Sequence, residues 1–181
     1  MVLSGHVLND GLGRLSSTNA FGQVVHQMLV NYQMQALGGE AVLRLIEFLP
    51  DGTALILQRD RGLMSHADFR AGRKIDVEGM PDMLVKDAAG AHDIELHPRY
   101  AENGWIYVAY SEGEEHRSTA VVDRVRLRND KVTARERIFT ADAYSEGLYH
   151  FASRMSFVDG YLYLALGGGF DAPATQPVAA K

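Results

Sequence analysis

The sequence contains no cysteine and no excess of basic residues. Its 181 residues include 18 lysines and arginines against 23 aspartates and glutamates, a formal net charge of -5. Without cysteine there is no disulfide, no thiolate nucleophile and no cysteine-type zinc site. Without a basic field, a nucleic-acid partner is not expected. No apolar run reaches about 18 residues, so we expect no membrane-spanning helix.

The N-terminal region lacks the features of an export signal. Residues 1–22 are interrupted by glycine and polar residues every few positions, so no signal peptide is recognised. Apolar residues at helical spacing predict one short amphipathic helix over residues 21–37. We expect residues 1–40 to form a separate segment, and residues 169–181, which are small and aperiodic, to form a flexible tail. The absence of cysteine leaves the redox compartment open.

The middle of the chain carries an internal repeat of short, strand-forming runs. Three runs share an apolar strand end, a turn with one glycine and a second apolar strand; they are 48–57 (FLPDGTALIL), 96–110 (LHPRYAENGWIYVAY) and 157–166 (FVDGYLYLAL). Asp-Gly and Asn-Gly favour hairpin turns because glycine accepts positive φ. A recurrence of roughly 50 residues without a long helix is typical of β-propeller blades.

Further strands fill the intervals between these repeats. Residues 120–127 and 132–139 predict a hairpin across residues 128–131, with apolar and charged residues alternating as in strands that have one wet face. The alternative is an unrelated antiparallel sandwich with similar turns. A propeller has 4–8 blades, and residues 41–168 hold about two blades and the start of a third. We therefore predict an all-β, incomplete β-propeller whose open blade edges allow self-association.

Four blocks in this region resemble the soluble pyrroloquinoline-quinone (PQQ) dependent aldose sugar dehydrogenases, the glucose/sorbosone dehydrogenase family of six-bladed propellers. The blocks are 91–98 (AHDIELHP), 100–110 (YAENGWIYVAY), 118–127 (STAVVDRVRL) and 149–157 (YHFASRMSF). The resemblance covers about Val42 to Leu166. It implies oxidation of an aldose sugar at C1, with electrons passed on to an acceptor. Members of the family are typically periplasmic or secreted.

The resemblance also assigns roles to individual residues. A base of near-neutral pKa must take the proton of the sugar's C1 hydroxyl, and histidine suits this task. The family's base falls at His150, which would be the catalytic residue and a contact of the cofactor. Tyr149 would lie beside the substrate, and Arg154 would support the strand.

Several positions depart from the family pattern. A glutamine that touches PQQ falls at Ala88, an acidic residue before the base is replaced by Tyr149, and a Gly-Asp-Arg sequence is replaced by residues 167–170 (GGGF). The resemblance implies PQQ and calcium, but most of their ligands lie in later blades. We expect a truncated member, which leaves open whether it is an enzyme as it stands. The alternative is a non-catalytic propeller fragment that acts as a binding or scaffold module.

Other polar groups have simpler interpretations. His92, Asp93 and His97 do not have the spacing of a helical zinc motif, and the two histidines are expected to face opposite sides of a strand. We interpret them as packed or turn-anchoring residues and predict no metal site. The acidic run 112–115 is expected to be a solvated loop, with a surface cation contact as the second interpretation. Trp105 and Tyr107 are expected to pack between blades.

Overall fold

Three antiparallel sheets make up the described part of the chain. The computed structural model describes residues 43–144, 148, 151 and 153–167. Sheet A contains β1 (Leu43–Phe48), β2 (Ala54–Gln58), β3 (Leu63–Asp68) and β4 (Arg73–Asp76); sheet B contains β5 (Ala91–Leu96), β6 (Trp105–Glu114), β7 (Arg117–Arg128) and β8 (Lys131–Thr140); sheet C contains β9 (Arg154–Val158) and β10 (Tyr161–Ala165). A one-turn helix α1 (Tyr100–Asn103) precedes β6, and a 3-10 turn (Arg59–Arg61) follows β2.

Each sheet is a meander in which strands consecutive in the chain lie side by side. Two of the predicted turns form as two-residue hairpin turns, whereas Asn103 and Gly104 instead end the helix α1. Asp159 and Gly160 join β9 to β10 with φ of 50° and 82°, the positive values that a two-residue hairpin needs. Asn129 and Asp130 adopt the same conformation between β7 and β8, with φ of 52° and 57°. The predicted hairpin across residues 128–131 is therefore confirmed.

The first strands of the three sheets are neighbours: β5 lies against β1 on one side and against β9 on the other. Sheet B is therefore packed between sheets A and C. Each of its two faces has its own apolar cluster, one shared with Leu45, Leu57 and Met64 of sheet A, the other with Met155 and Leu162 of sheet C. This stacking of four-stranded meanders is the arrangement of propeller blades. The predicted two blades and the opening strands of a third are confirmed.

Burial falls from the middle strands of sheet B to its outer strand. Residues 105–111 of β6 and 118–123 of β7 are buried on both faces, whereas β8 is largely exposed. The expectation of one wet face on both strands of the β7–β8 hairpin is thus wrong for the first half of β7. The reason is that sheets A and C cover it from both sides. Trp105 and Tyr107 pack against sheet C, as predicted.

The expectation of a solvated loop at the acidic run 112–115 needs correction. The acidic run 112–115 is not a simple loop, because β6 continues through Glu114 and Glu112 binds Arg137 at 2.6 Å. Glu115 binds Lys86 at 2.6 Å, so the second interpretation, a surface cation contact, is confirmed.

The helix predicted over 21–37 and the tail over 169–181 lie outside the described residues. Within the described residues, no helix is long and apolar enough to span a bilayer.

Candidate functional site

The residues to which the sequence assigns catalysis lie in the stretch of chain that connects β8, the last strand of sheet B, to β9, the first strand of sheet C. His150 and Tyr149 lie outside the described residues, so their roles stay predictions. Their neighbours in sequence, Leu148 and Phe151, are only 3% and 2% exposed and pack together with Ala89. Thus the two predicted site residues lie in the sequence between two buried apolar anchors.

Residues 153 and 154 lead from this segment into β9. The hydroxyl of Ser153 is buried and donates to the carbonyl oxygen of Phe151 at 2.7 Å. Arg154, the first residue of β9, is largely exposed, and its guanidinium Nη1 lies 3.3 Å from Oδ1 of Asp93. The Arg154 side chain therefore joins β9 to β5, which is compatible with the structural support predicted for it.

Asp93 is a polar link between β5 and β9, two of the three inner strands, as we call β1, β5 and β9, the first strand of each sheet. Its Oδ2 accepts a hydrogen bond of 2.6 Å from the backbone N–H of Met155, while Oδ1 faces Arg154. Burial raises the pKa of the Asp93 carboxyl, although the Met155 N–H and the Arg154 charge act in the opposite direction. A carboxylate that accepts a backbone N–H at the start of a strand fixes the position of that strand.

The two histidines of the 91–98 block are packed residues, as predicted, but they do not face opposite sides. His92 lies with its ring 5.7 Å from that of Phe151, nearly parallel to it, and its Nε2 is 2.6 Å from Ser111 Oγ. His97 stacks on Tyr107 and meets the edge of Phe157. Both rings thus lie on the side of sheet B that faces sheet C, because His92 contacts Phe151 and His97 contacts Phe157. The register shift between Ala91 and Asp93 breaks the alternation, because a bulge adds one residue to the strand.

His97 also anchors the turn after β5. Its Nδ1 accepts hydrogen bonds from the backbone N–H of Arg99 at 3.0 Å and from the side-chain amide of Asn103 at 2.8 Å. Burial and the nearby charges of Arg99 and Arg124 lower the pKa of His97, which favours the neutral ring that these two bonds require.

Two glutamates on the inner strands are functional candidates that the sequence analysis missed. Burial, with contributions from Glu95 and Asp93, raises the pKa of Glu47 on β1 to about 7. Burial and Asp93 likewise raise the pKa of Glu95 on β5 to about 7. Such carboxyl groups exchange protons near neutral pH. The signal in the sequence was an acidic residue directly between apolar neighbours, in Ile-Glu-Phe of β1 and in Ile-Glu-Leu of β5.

No group of three or more histidines, aspartates or glutamates within the described ranges is arranged to hold a metal ion. His92, Asp93 and His97 are instead engaged with a hydroxyl, a backbone N–H and a turn, respectively.

The consecutive antiparallel meanders, packed face to face, define a β-propeller protein. The model of the Glucose / Sorbosone dehydrogenase family matches residues 43–181. The chain belongs to this family.

Relatives agree with this assignment and extend beyond the chain. Aldose sugar dehydrogenase YliI of Escherichia coli (strain K12) is 30% identical over 135 residues, which are 72% of this chain and 36% of that protein. The crystal structure of the soluble aldose sugar dehydrogenase from Escherichia coli in the apo-form aligns with a TM-score of 0.62 and 33% identity, covering 68% of this chain and 37% of that one. The PQQ-bound aldose sugar dehydrogenase from Streptomyces coelicolor is 21% identical, with a TM-score of 0.62, and shows the shared fold over 71% of this chain and 39% of that one. The chain therefore spans less than two-fifths of the length of these relatives.

Proposed function

We propose that this chain supplies the proton-abstracting part of a PQQ-dependent aldose sugar dehydrogenase that oxidises the sugar at C1. The observation that carries the proposal is membership of the glucose/sorbosone dehydrogenase family over residues 43–181, which include the predicted base. The similarity to an aldose sugar dehydrogenase over 135 residues supports the same substrate class.

In this proposal His150 takes the proton of the sugar's C1 hydroxyl. Formation of the C1 carbonyl also requires transfer of the C1 hydride to a two-electron acceptor, a role that PQQ would fill when bound with the help of groups outside the described residues. A neutral imidazole at hydrogen-bond distance from the hydroxyl contributes about 100- to 10,000-fold as a general base. Tyr149 would contact the sugar, and Arg154 would hold the start of β9. The electrons then pass to an external acceptor.

The described residues do not by themselves fit the cofactor. PQQ carries three carboxylates, whereas the inner strands present Glu47, Asp93 and Glu95, and the nearby Arg154 already faces Asp93. Ala88, where the family has a glutamine, offers no side-chain hydrogen bond. Among the described residues, no group of three or more acidic or histidine side chains is arranged to hold calcium either. We therefore derive only the proton step, and the cations that PQQ and its reaction require would come from outside these residues.

Dye reduction by aldoses, with PQQ and Ca²⁺ added, tests the proposal. With PQQ held by cations from outside the described residues, the chain should reduce the dye, and His150→Ala should lower kcat far more than it raises KM, because a base acts mainly in the transition state. His116→Ala, on an exposed turn, is the matched control and should leave both constants unchanged. Absence of turnover together with absence of a PQQ-induced rise in Tm would contradict the proposal.

A second candidate function is a non-catalytic binding or scaffold module that self-associates. The observation in its favour is the outer face of sheet C, where Val158, Tyr161 and Tyr163 are each about half exposed. An exposed apolar sheet face favours association. Tyr161→Ser combined with Tyr163→Ser should reduce the mass in solution of any oligomer while changing the unfolding free energy by less than about 0.5 kcal/mol. An unchanged mass would exclude this face as the contact.

A further inference from the structure

The bulge in β5 directs two consecutive side chains to one segment. In a regular strand His92 and Asp93 would point to opposite faces. Here Ala91 pairs with Tyr110 and Asp93 pairs with Ala109, so His92 is the extra residue of the bulge. A bulge re-aims side chains, and it lets both His92 and Asp93 reach residues 151–155.

The two side chains hold that segment at both ends and by different means. The His92 ring stacks on Phe151, directly after the predicted base, and is itself held by Ser111 at 2.6 Å. Asp93 binds the backbone N–H of Met155 at 2.6 Å and the side chain of Arg154 at 3.3 Å. Phe151 is 2% exposed and Met155 is 4% exposed, so both contacts are shielded from water.

We propose that His92 and Asp93 act as a clamp that positions Phe151 and residues 153–155 and, through them, His150 for proton abstraction. The clamp itself rests only on these contacts, whereas its effect on catalysis rests on the proposed function. Both are positioning residues. An error of about 1 Å in the placement of a reacting group can lower the rate by about 100-fold, which is why a base on a connecting segment needs such support.

Hydrogen exchange measured by NMR on the full chain tests the clamp without any need for activity. Asp93→Ala should accelerate exchange of the Met155 amide by at least about 10-fold beyond the change that global destabilisation causes. Asp93→Asn keeps an acceptor for the Met155 N–H but loses the charge that faces Arg154, and it should restore most of the protection. His92→Ala should accelerate exchange at residues 151–153 more than in the β9–β10 hairpin.

The matched control is Asp123→Ala. Asp123 is also a buried aspartate of sheet B, but its hydrogen bonds and ion pairs among the described residues go to Tyr110, Arg135 and Arg137 of the same sheet. Its loss should destabilise the whole chain without selective exposure of the Met155 amide. Equal acceleration of that amide in the Asp93→Ala and Asp123→Ala variants, after correction for stability, would overturn the clamp.

Kinetics of the same variants test the catalytic consequence. Asp93→Ala should lower kcat by about 10- to 100-fold with little change in KM, Asp93→Asn should recover most of kcat, and Asp123→Ala should retain it. If kcat of Asp93→Ala equals that of wild type, the clamp does not position the base. If wild type itself has no turnover, the proposed function fails, and the exchange experiment alone decides whether the clamp exists.

Discussion

The two faces of sheet B are packed by different means. Toward sheet A, aliphatic residues such as Leu57 and Val108 dominate, and two partly exposed arginines pair with the buried Asp123. Toward sheet C, the aromatic rings of Trp105, Tyr107, Phe139 and Phe157 join the aliphatic residues, with Tyr107 and Phe157 in an edge contact at 5.1 Å. Polar groups on this second face bind backbone and side chains of the neighbouring sheet. The face toward sheet A therefore contributes mainly to the stability of the fold. The face toward sheet C also fixes the position of Phe151 and Met155, through His92 and Asp93.

The largest expected effect is on the ionic network of the first face. Asp123 is fully buried and is bound by Arg135, Arg137 and the Tyr110 hydroxyl. Replacing both arginines by alanine leaves a buried carboxylate without a cation. The unfolding free energy should fall by about 3–5 kcal/mol.

Urea unfolding followed by the fluorescence of Trp105, the single tryptophan, measures this loss. Arg128→Ala, an exposed position, serves as the control and should change the unfolding free energy by less than about 0.5 kcal/mol. A loss below about 1 kcal/mol in the double variant would show that the network does not stabilise this face.

The next effect compares the apolar packing of the two faces. Ile106 (0% exposed) belongs to the cluster shared with sheet A, and Leu162 (2% exposed) to the one shared with sheet C. Ile106→Ala should cost about 4 kcal/mol and Leu162→Ala about 2 kcal/mol, because two paired strands relax around a cavity more easily than two four-stranded sheets do. Equal losses in urea unfolding would mean that both faces are equally rigid.

A smaller, pH-dependent effect belongs to the inner strands. The pKa of Glu47 is raised to about 7 by burial and by Glu95 and Asp93, whereas an unfolded glutamate titrates near 4.5. The folded state therefore keeps a proton that the unfolded state releases, and stability falls as the pH rises from about 4.5 to about 7. Glu47→Gln removes this loss and should be more stable than wild type by about 1 kcal/mol at pH 8, with the difference vanishing near pH 4.5.

Unfolding curves at several pH values check this prediction, with Glu102→Gln at an exposed position as the control. Glu95→Gln should behave like Glu47→Gln. The double variant should gain less than the sum of the two, because the charge of Glu95 contributes to the raised pKa of Glu47. A stability difference that does not vary with pH would contradict the raised pKa.

The smallest effect concerns the two arginines that lie over Trp105, on the face of sheet B toward sheet C. The guanidinium groups of Arg124 and Arg126 lie 4.4 Å and 4.0 Å from the centre of the Trp105 ring. Arg126→Ala should lower the unfolding free energy by about 0.5–1 kcal/mol and change the fluorescence of Trp105 in the native state. Arg126→Lys should restore part of the loss. Native fluorescence identical to wild type in Arg126→Ala would show that the cation does not rest on the ring.

The strands and their turns were predictable because they depend on local chemistry. The Asp159–Gly160 turn and the alternating residues of the β7–β8 hairpin specify their conformations within a few residues. The four blocks of similarity likewise led to the correct family and fold. The two-sided burial of β7 was not predictable, since it depends on sheets that are distant in the sequence.

The candidate site was predicted in part. The interpretation of His92 and His97 as packed residues is confirmed, but a bulge reversed the expected alternation of their side chains. The raised pKa values of Glu47 and Glu95 were not predictable from the sequence, because they arise from burial and, for Glu47, from carboxylates of a strand in another sheet. The roles of His150 and Tyr149 stay predictions.

By itself, the sequence determined the strands, the hairpins and the family, because turn residues, periodicity and motif blocks act over short stretches of chain. Only the tertiary structure decided that Asp93 binds the Met155 N–H and that His92 stacks on Phe151. These partners are about 60 residues apart, and they meet because stacked sheets bring their first strands side by side.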